Sequence, residues 1–187
     1  MSQILSLWLP ALVSAVAVFI LSSIIHMALP WWHRSDYRAL PNEDAVLDAL
    51  RPMAIPPGEY MAPRPASSED MRSAGFQEKM NRGPNFQINI MRPGPISMGR
   101  PLALWFVYVL VVAFAAGHVA LGALGDHNDP PDIFHAVALS AFMGFAFALW
   151  QSVIWFQRPA KTALKATVDG LLYALVTALV YVWLWPA

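Results

Sequence analysis

PLALWFVYVLVVAFAAGHVALGAL, residues 101–124, decides the architecture. It carries no Asp, Glu, Lys or Arg, and as a helix it is long enough to cross the hydrocarbon core of a bilayer, which takes about 20 apolar residues. No period-two alternation runs through it, and a lone strand in lipid would leave its backbone polar groups unpaired, so helix is the form expected. Three further stretches share this character. Ile4 to about Leu29 and Ile133–Gln157 are uncharged, and Leu164–Trp185 carries Lys165 at its edge and Asp169 inside. The expected fold is an all-α membrane protein with four transmembrane helices in an antiparallel bundle. Residues 1–30, 101–124, 133–157 and 158–187 hold the spans. Residues 31–100 form a Pro-rich cytoplasmic loop of roughly 70 residues between the first two, and residues 125–132 an acidic periplasmic loop.

Composition agrees. Of the 187 residues, 57% are hydrophobic and 13% charged, with zero net charge, whereas a soluble domain carries about 25% charged residues. Such a chain is too apolar for a disordered protein and lacks the basic excess of a nucleic-acid binder, so no nucleic-acid partner is expected. The absence of cysteine excludes disulfides, Cys-ligated zinc, iron–sulfur clusters and thiol catalysis. The first span has no basic residue before it and is about twice the length of a signal-peptide core, so it reads as a retained anchor, bent at Pro10.

Charge sets the orientation. Arg34, Arg38, Arg51, Arg64, Arg72, Lys79, Arg82, Arg92 and Arg100 lie between spans one and two, and Arg158, Lys161 and Lys165 between three and four. The connection GDHNDPPD (125–132) has three carboxylates and no base. Positive residues stay inside, which puts both termini in the periplasm. Trp31, Trp32, Trp105, Trp150 and Trp155 then line the inner boundary, and Trp8, Trp183 and Trp185 the outer one.

Within the loop, Asn42 is expected to cap a helix over 43–51 and Ser68 one over 69–81 that ends near Gly83-Pro84. Phe86, Ile88 and Ile90 alternate with polar residues as a short strand does. The rest, including Pro52–Pro65, reads as extended or turning. Its eight acids nearly balance its nine bases, which argues against a polybasic lipid patch. The loop is too short and Pro-broken for a strong core, so it reads as a platform for a partner.

Small residues set helix packing in lipid. Thr162, Ala166, Gly170, Ala174 and Ala178 recur every four residues, as do Ala136, Ser140, Gly144 and Ala148, so the third and fourth spans are expected to pack as a tight hairpin. A carboxylate inside the membrane costs about 2.5–3.5 kcal/mol at mid-span and calls for a partner or a task. Asp169 is grouped with His26, Gln151 and Lys165 as a polar intramembrane cluster, either a clasp fixing the bundle or, through His26 and Asp169, a proton-handling pair. Tyr173, Thr177 and Tyr181 extend that face. Towards the other side, His118, His127 and His135 with Asp126, Asp129 and Asp132 are weaker metal-ligand candidates. Asp129-Pro130-Pro131-Asp132 reads first as a helix start. A two-haem cytochrome would need four intramembrane histidines, so neither haem nor metal is expected, and lipids are the expected surroundings. No phosphate loop, GxSxG, HExxH or internal repeat is present, and no catalytic residue is assigned.

The runs HMALPWWHRSDY (26–37), LPNEDAVL (40–47), GEYM (58–61) and DGLLYA (169–174) resemble a group of small bacterial inner-membrane proteins of unassigned function. That resemblance implies a bacterial inner-membrane address and brings no substrate, cofactor or catalytic residue. The expected function is that of a non-enzymatic accessory or assembly subunit. It would bind other integral membrane subunits through its helices and inner loop. The alternative is a small proton- or metal-handling protein using Asp169 and His26, or His118 and His135.

Overall fold

A computed structural model describes residues 6–125 and 128–186, and these divide into two compact units, Met1–Arg38 with Ser97–Ala187, and Ala39–Ile96. The first unit is helical. Helix α1 (Trp8–Ser23) continues into a π-helical turn, Ile24–Ala28, and after a break at Leu29 a short helix α2 (Pro30–His33) follows. The helix runs without interruption through Pro10. Pro10 is the third residue of α1, where the missing N–H has no helical acceptor to lose. The irregularity comes instead at the far end, in the π turn that carries His26.

In the second unit, α3 (Glu43–Leu50), β1 (Gly58–Ala62), α4 (Ser68–Arg72), α5 (Ala74–Arg82) and β2 (Phe86–Ile90) follow in order. The expected strand at 86–90 has a partner. Antiparallel pairing of Tyr60 with Ile88 centres a two-stranded sheet whose first strand falls in the expected extended region. Asn42 precedes α3 in a left-handed conformation with no side-chain cap bond. The helix expected over 69–81 is two helices. Ser67 accepts the amide of Asp70, while Ser73, in extended backbone, ends α4 and caps α5 by accepting the amide of Phe76 at 3.1 Å. A second strong N-cap has divided one amphipathic run.

Three long helices complete the first unit: α6 (Gly99–Leu124); α7 (Pro130–Phe142), which runs through a second π turn, Met143–Phe147, into α8 (Leu149–Phe156); and α9 (Ala160–Leu184). Asp129 caps α7 through its carbonyl, which accepts the amides of Asp132 and Ile133, and not through its side chain. The four helical stretches Trp8–Ala28, Gly99–Leu124, Pro130–Phe156 and Ala160–Leu184 are long and apolar enough to cross a membrane, as a multi-pass membrane protein requires.

They pack as a bundle in which α1 touches α6 and α9, and α7 touches the same two. The centre is built of small and β-branched residues: Ala15 and Val18, Ala113 and Ala116, Val137 and Ala141, Ala174 and Ala178. Outward stand large apolar side chains such as Ile20, Val111, Ile154 and Leu179. Apolar-out with small-in is how helices associate where lipid supplies no hydrophobic drive.

The expected stripe on the fourth span, Gly170, Ala174 and Ala178, lies buried, with Ala166 at its margin. A Cβ on Gly170 would stand 3.2 Å from Ala146 and Phe145, so backbone approach is close there. On the third span the expected stripe is not the buried row. Ala148 and Gly144 are exposed and Ser140 half-buried, while Ile133, Val137, Ala141 and Phe145 face inward. The buried row stands one position on from the expected stripe already in α7, before the π turn: Val137 and Ala141 fill the core where Ala136 and Ser140 were expected. Gly144 contacts α6 instead. A Cβ there would meet Val112 at 2.9 Å, and its carbonyl accepts the Tyr108 hydroxyl at 2.7 Å.

Candidate functional site

The site forms where α1 gives way to α2 and α2 meets the first turns of α9. Pro30 at the first position of α2 restarts the helix after Leu29, so Trp32, His33 and Asp36 come round beside Lys165 and Asp169. Asp169, 5% exposed, accepts hydrogen bonds at both oxygens: the Trp32 indole N–H reaches Oδ1 at 2.9 Å, and His33 Nε2 lies 2.9 Å from Oδ2. The other nitrogen of His33, Nδ1, lies 2.7 Å from Asp36 Oδ2. The remaining oxygen of Asp36 faces Lys165 Nζ at 2.8 Å. Lys165 also donates to the Ser35 hydroxyl at 3.0 Å and to the Trp32 carbonyl, and its ammonium lies 5.6 Å from the Trp32 ring centroid, within cation–π range.

His33 is therefore a bridge between two carboxylates. A carboxylate can only accept, so with both acids ionised both ring nitrogens must carry hydrogen. For Asp36, burial works to raise the pKa. The hydrogen bonds and charges of Lys165 and His33 work the other way and win, holding the carboxyl below its ordinary 3.8.

His26 completes the group. Its ring stacks on that of His33 with centroids 4.5 Å apart and planes 9° from parallel. Its Nδ1 lies 2.9 Å from the Ser22 carbonyl, which only accepts, so Nδ1 carries the proton and Nε2 of the neutral ring keeps its lone pair.

Of the four residues grouped from sequence, His26, Lys165 and Asp169 come together and Gln151 does not. Gln151 is exposed on α8, because the π turn before it resets which residues face α9. Nor does Lys165 pair with Asp169 one turn on: its ammonium reaches Asp36, which offers a carboxylate already aligned with a carbonyl and a hydroxyl. Sequence reasoning missed His33, Asp36 and Trp32 by assigning them to the loop. The available signal was the spacing His26–His33, seven residues and so two helical turns, with Asp36 three further.

Tyr173, Thr177 and Tyr181 are all buried on α9. Thr177 donates to the Tyr173 carbonyl and Tyr181 to the Ala113 carbonyl, both consumed by backbone and not linked to one another. His118 and His135 are exposed on α6 and α7, and among the described residues neither joins a ligand group. His127 and Asp126 lie outside the described residues. Beside the cluster, a cleft of about 410 Å³ is lined by Ser35, Asp36, Arg38, Lys161 and Thr162 among others. Compared with known protein families, with characterised proteins and with solved structures, the chain matches none.

Proposed function

We propose that this protein is a non-enzymatic accessory or assembly subunit of a bacterial inner-membrane complex, with antiparallel spans, both termini in the periplasm and residues 39–96 in the cytoplasm. The observation that carries the reading is the state of the second unit. In Ala39–Ile96 a single large apolar side chain, Phe76, is buried, while Leu40, Met53, Met61, Met71, Phe86, Met91 and Ile96 are 45–87% exposed. A folded segment that leaves so much apolar surface uncovered has the composition of an interaction surface. Methionines suit one, because their flexible thioethers repack against different partners. The bundle serves as the anchor, and the paired cluster at α2 and α9 holds residues 30–36 against the membrane helices.

Native mass spectrometry of a mild-detergent membrane extract tests this. A stoichiometric partner chain is expected, and it should be lost in the Met61→Ser/Met91→Ser variant while the protein still inserts. Extraction of the chain alone, without a partner, would overturn the reading. A second reading, a small proton- or metal-handling membrane protein, is favoured by one observation: His33 standing between Asp36 and Asp169 with His26 stacked on it.

A further inference from the structure

We infer that His26, His33 and Asp169 form a binding site for a divalent transition-metal ion of the zinc class. The inference deepens the second reading above and is independent of the accessory-subunit one. One ligand atom from each of the three residues lies within 4.8 Å of the others, and the pair His33 Nε2 and Asp169 Oδ2 is already at 2.9 Å. An ion with bonds of about 2.0–2.2 Å needs ligand atoms roughly 3.0–3.5 Å apart, so the widest separation must close by about 1.3–1.8 Å at most. His26 supplies that movement. It is exposed, and its terminal torsion is broad. A tilt that keeps Nδ1 on the Ser22 carbonyl takes the two rings out of parallel, so that His26 Nε2 and, once the ion replaces its hydrogen, His33 Nε2 face one point.

The surroundings are those of a metal site as much as the three ligands are. Bound imidazoles hold their second nitrogen on a carboxylate or a backbone carbonyl, which fixes the tautomer and raises basicity. Both occur: His33 Nδ1 is held by Asp36 Oδ2, and His26 Nδ1 by the Ser22 carbonyl. Asp169 keeps Oδ1 on the Trp32 indole and leaves Oδ2 towards His33. Lys165 neutralises Asp36 and does not compete for Asp169. Two imidazoles and one carboxylate suit zinc, iron, nickel or copper over calcium and magnesium, which prefer all-oxygen shells. Three protein ligands leave a coordination position for water. Entry of the ion displaces the proton between His33 Nε2 and Asp169 Oδ2, one proton leaving for each ion bound.

The test uses the full chain purified in mild detergent, stripped with a chelator and titrated with Co2+, followed by Zn2+ competition. One equivalent of Co2+ should give a saturable visible absorption that Zn2+ abolishes. His26→Gln should weaken binding at least about tenfold with the protein still folding cooperatively, because His26 is exposed and its hydrogen bond is to its own helix. Asp169→Asn should weaken it further, and the double variant His118→Gln/His135→Gln should leave it unaltered. No saturable signal, or a His26→Gln titration coincident with the unmodified protein, overturns the site. Because the isolated chain is measured, loss of a partner complex and loss of metal are separate results.

Discussion

Among the described residues Lys165 is the one ammonium drawn into the end of the bundle, 8% exposed, and three oxygens meet it. Removing one member of a buried ion pair costs roughly 3–5 kcal/mol, mostly because the other charge stays buried without compensation. Lys165→Met should therefore lower the thermal midpoint in detergent by several degrees, and Asp36→Asn likewise. The double variant should lose less than the sum, since the two share one interaction. Strict additivity would show that they act separately. Asp36 also sets an acid limit for the metal-free protein. Its folded value lies below 3.8, so its contribution is complete above that pH and is lost as the pH falls through the folded value. Thermal midpoints measured against pH should drop below about pH 4, and the drop should be shallower in Asp36→Asn.

Within the helices, contact distances decide what hydropathy cannot. Gly117 and Gly122 are both on α6, yet a Cβ at Gly117 would fall 2.4 Å from the Tyr181 ring, whereas one at Gly122 meets nothing within 4 Å. Tyr181 is fully buried and its hydroxyl is held by the Ala113 carbonyl at 2.9 Å, so the ring cannot retreat without losing that bond. Gly117→Ala should destabilise by about 1–3 kcal/mol as overpacking does, and Gly122→Ala should be neutral or gain up to about 1 kcal/mol from helix propensity. Equal midpoints for the two variants would contradict this packing.

The same contrast separates what the residues announced from what they concealed. Uncharged runs announce the four spans because exclusion of charge from lipid is a property of composition alone. The π turns at Ile24–Ala28 and Met143–Phe147 have no such signature, and each moves a functional or packing residue. One carries His26, and the other precedes Gln151, which faces outward. Lys165 and Asp169 were legible as buried charges in need of partners. Their partners were not, because Trp32, His33 and Asp36 follow Pro30, which reads as the end of a helix and here begins one.

At the level of the whole molecule, the distribution of charge along the chain makes the strongest claim. In the proposed topology four spans return the chain to the side it left, so that the connections 1–2 and 3–4 share one side and the connection 2–3 faces the other. All twelve Lys and Arg residues fall in the first pair, and residues 125–132 hold three acids and no base. Basic residues flanking spans resist translocation, whereas acids contribute little. In that topology one side would be retained by every cation in the sequence. The chain has no cysteine, so single cysteines report topology without background. Ser68→Cys in α4 and Asn128→Cys before α7 should react with a membrane-impermeant maleimide from opposite sides: Asn128→Cys in intact cells, Ser68→Cys only after the membrane is opened. Both sites are exposed, so failure to label would not follow from burial. Labelling of both from the same side would mean an even number of spans between them. The cluster of His26, His33, Lys165 and Asp169 would then lose its explanation too, since the two ends of α1 and α9 could no longer meet at one face of the membrane.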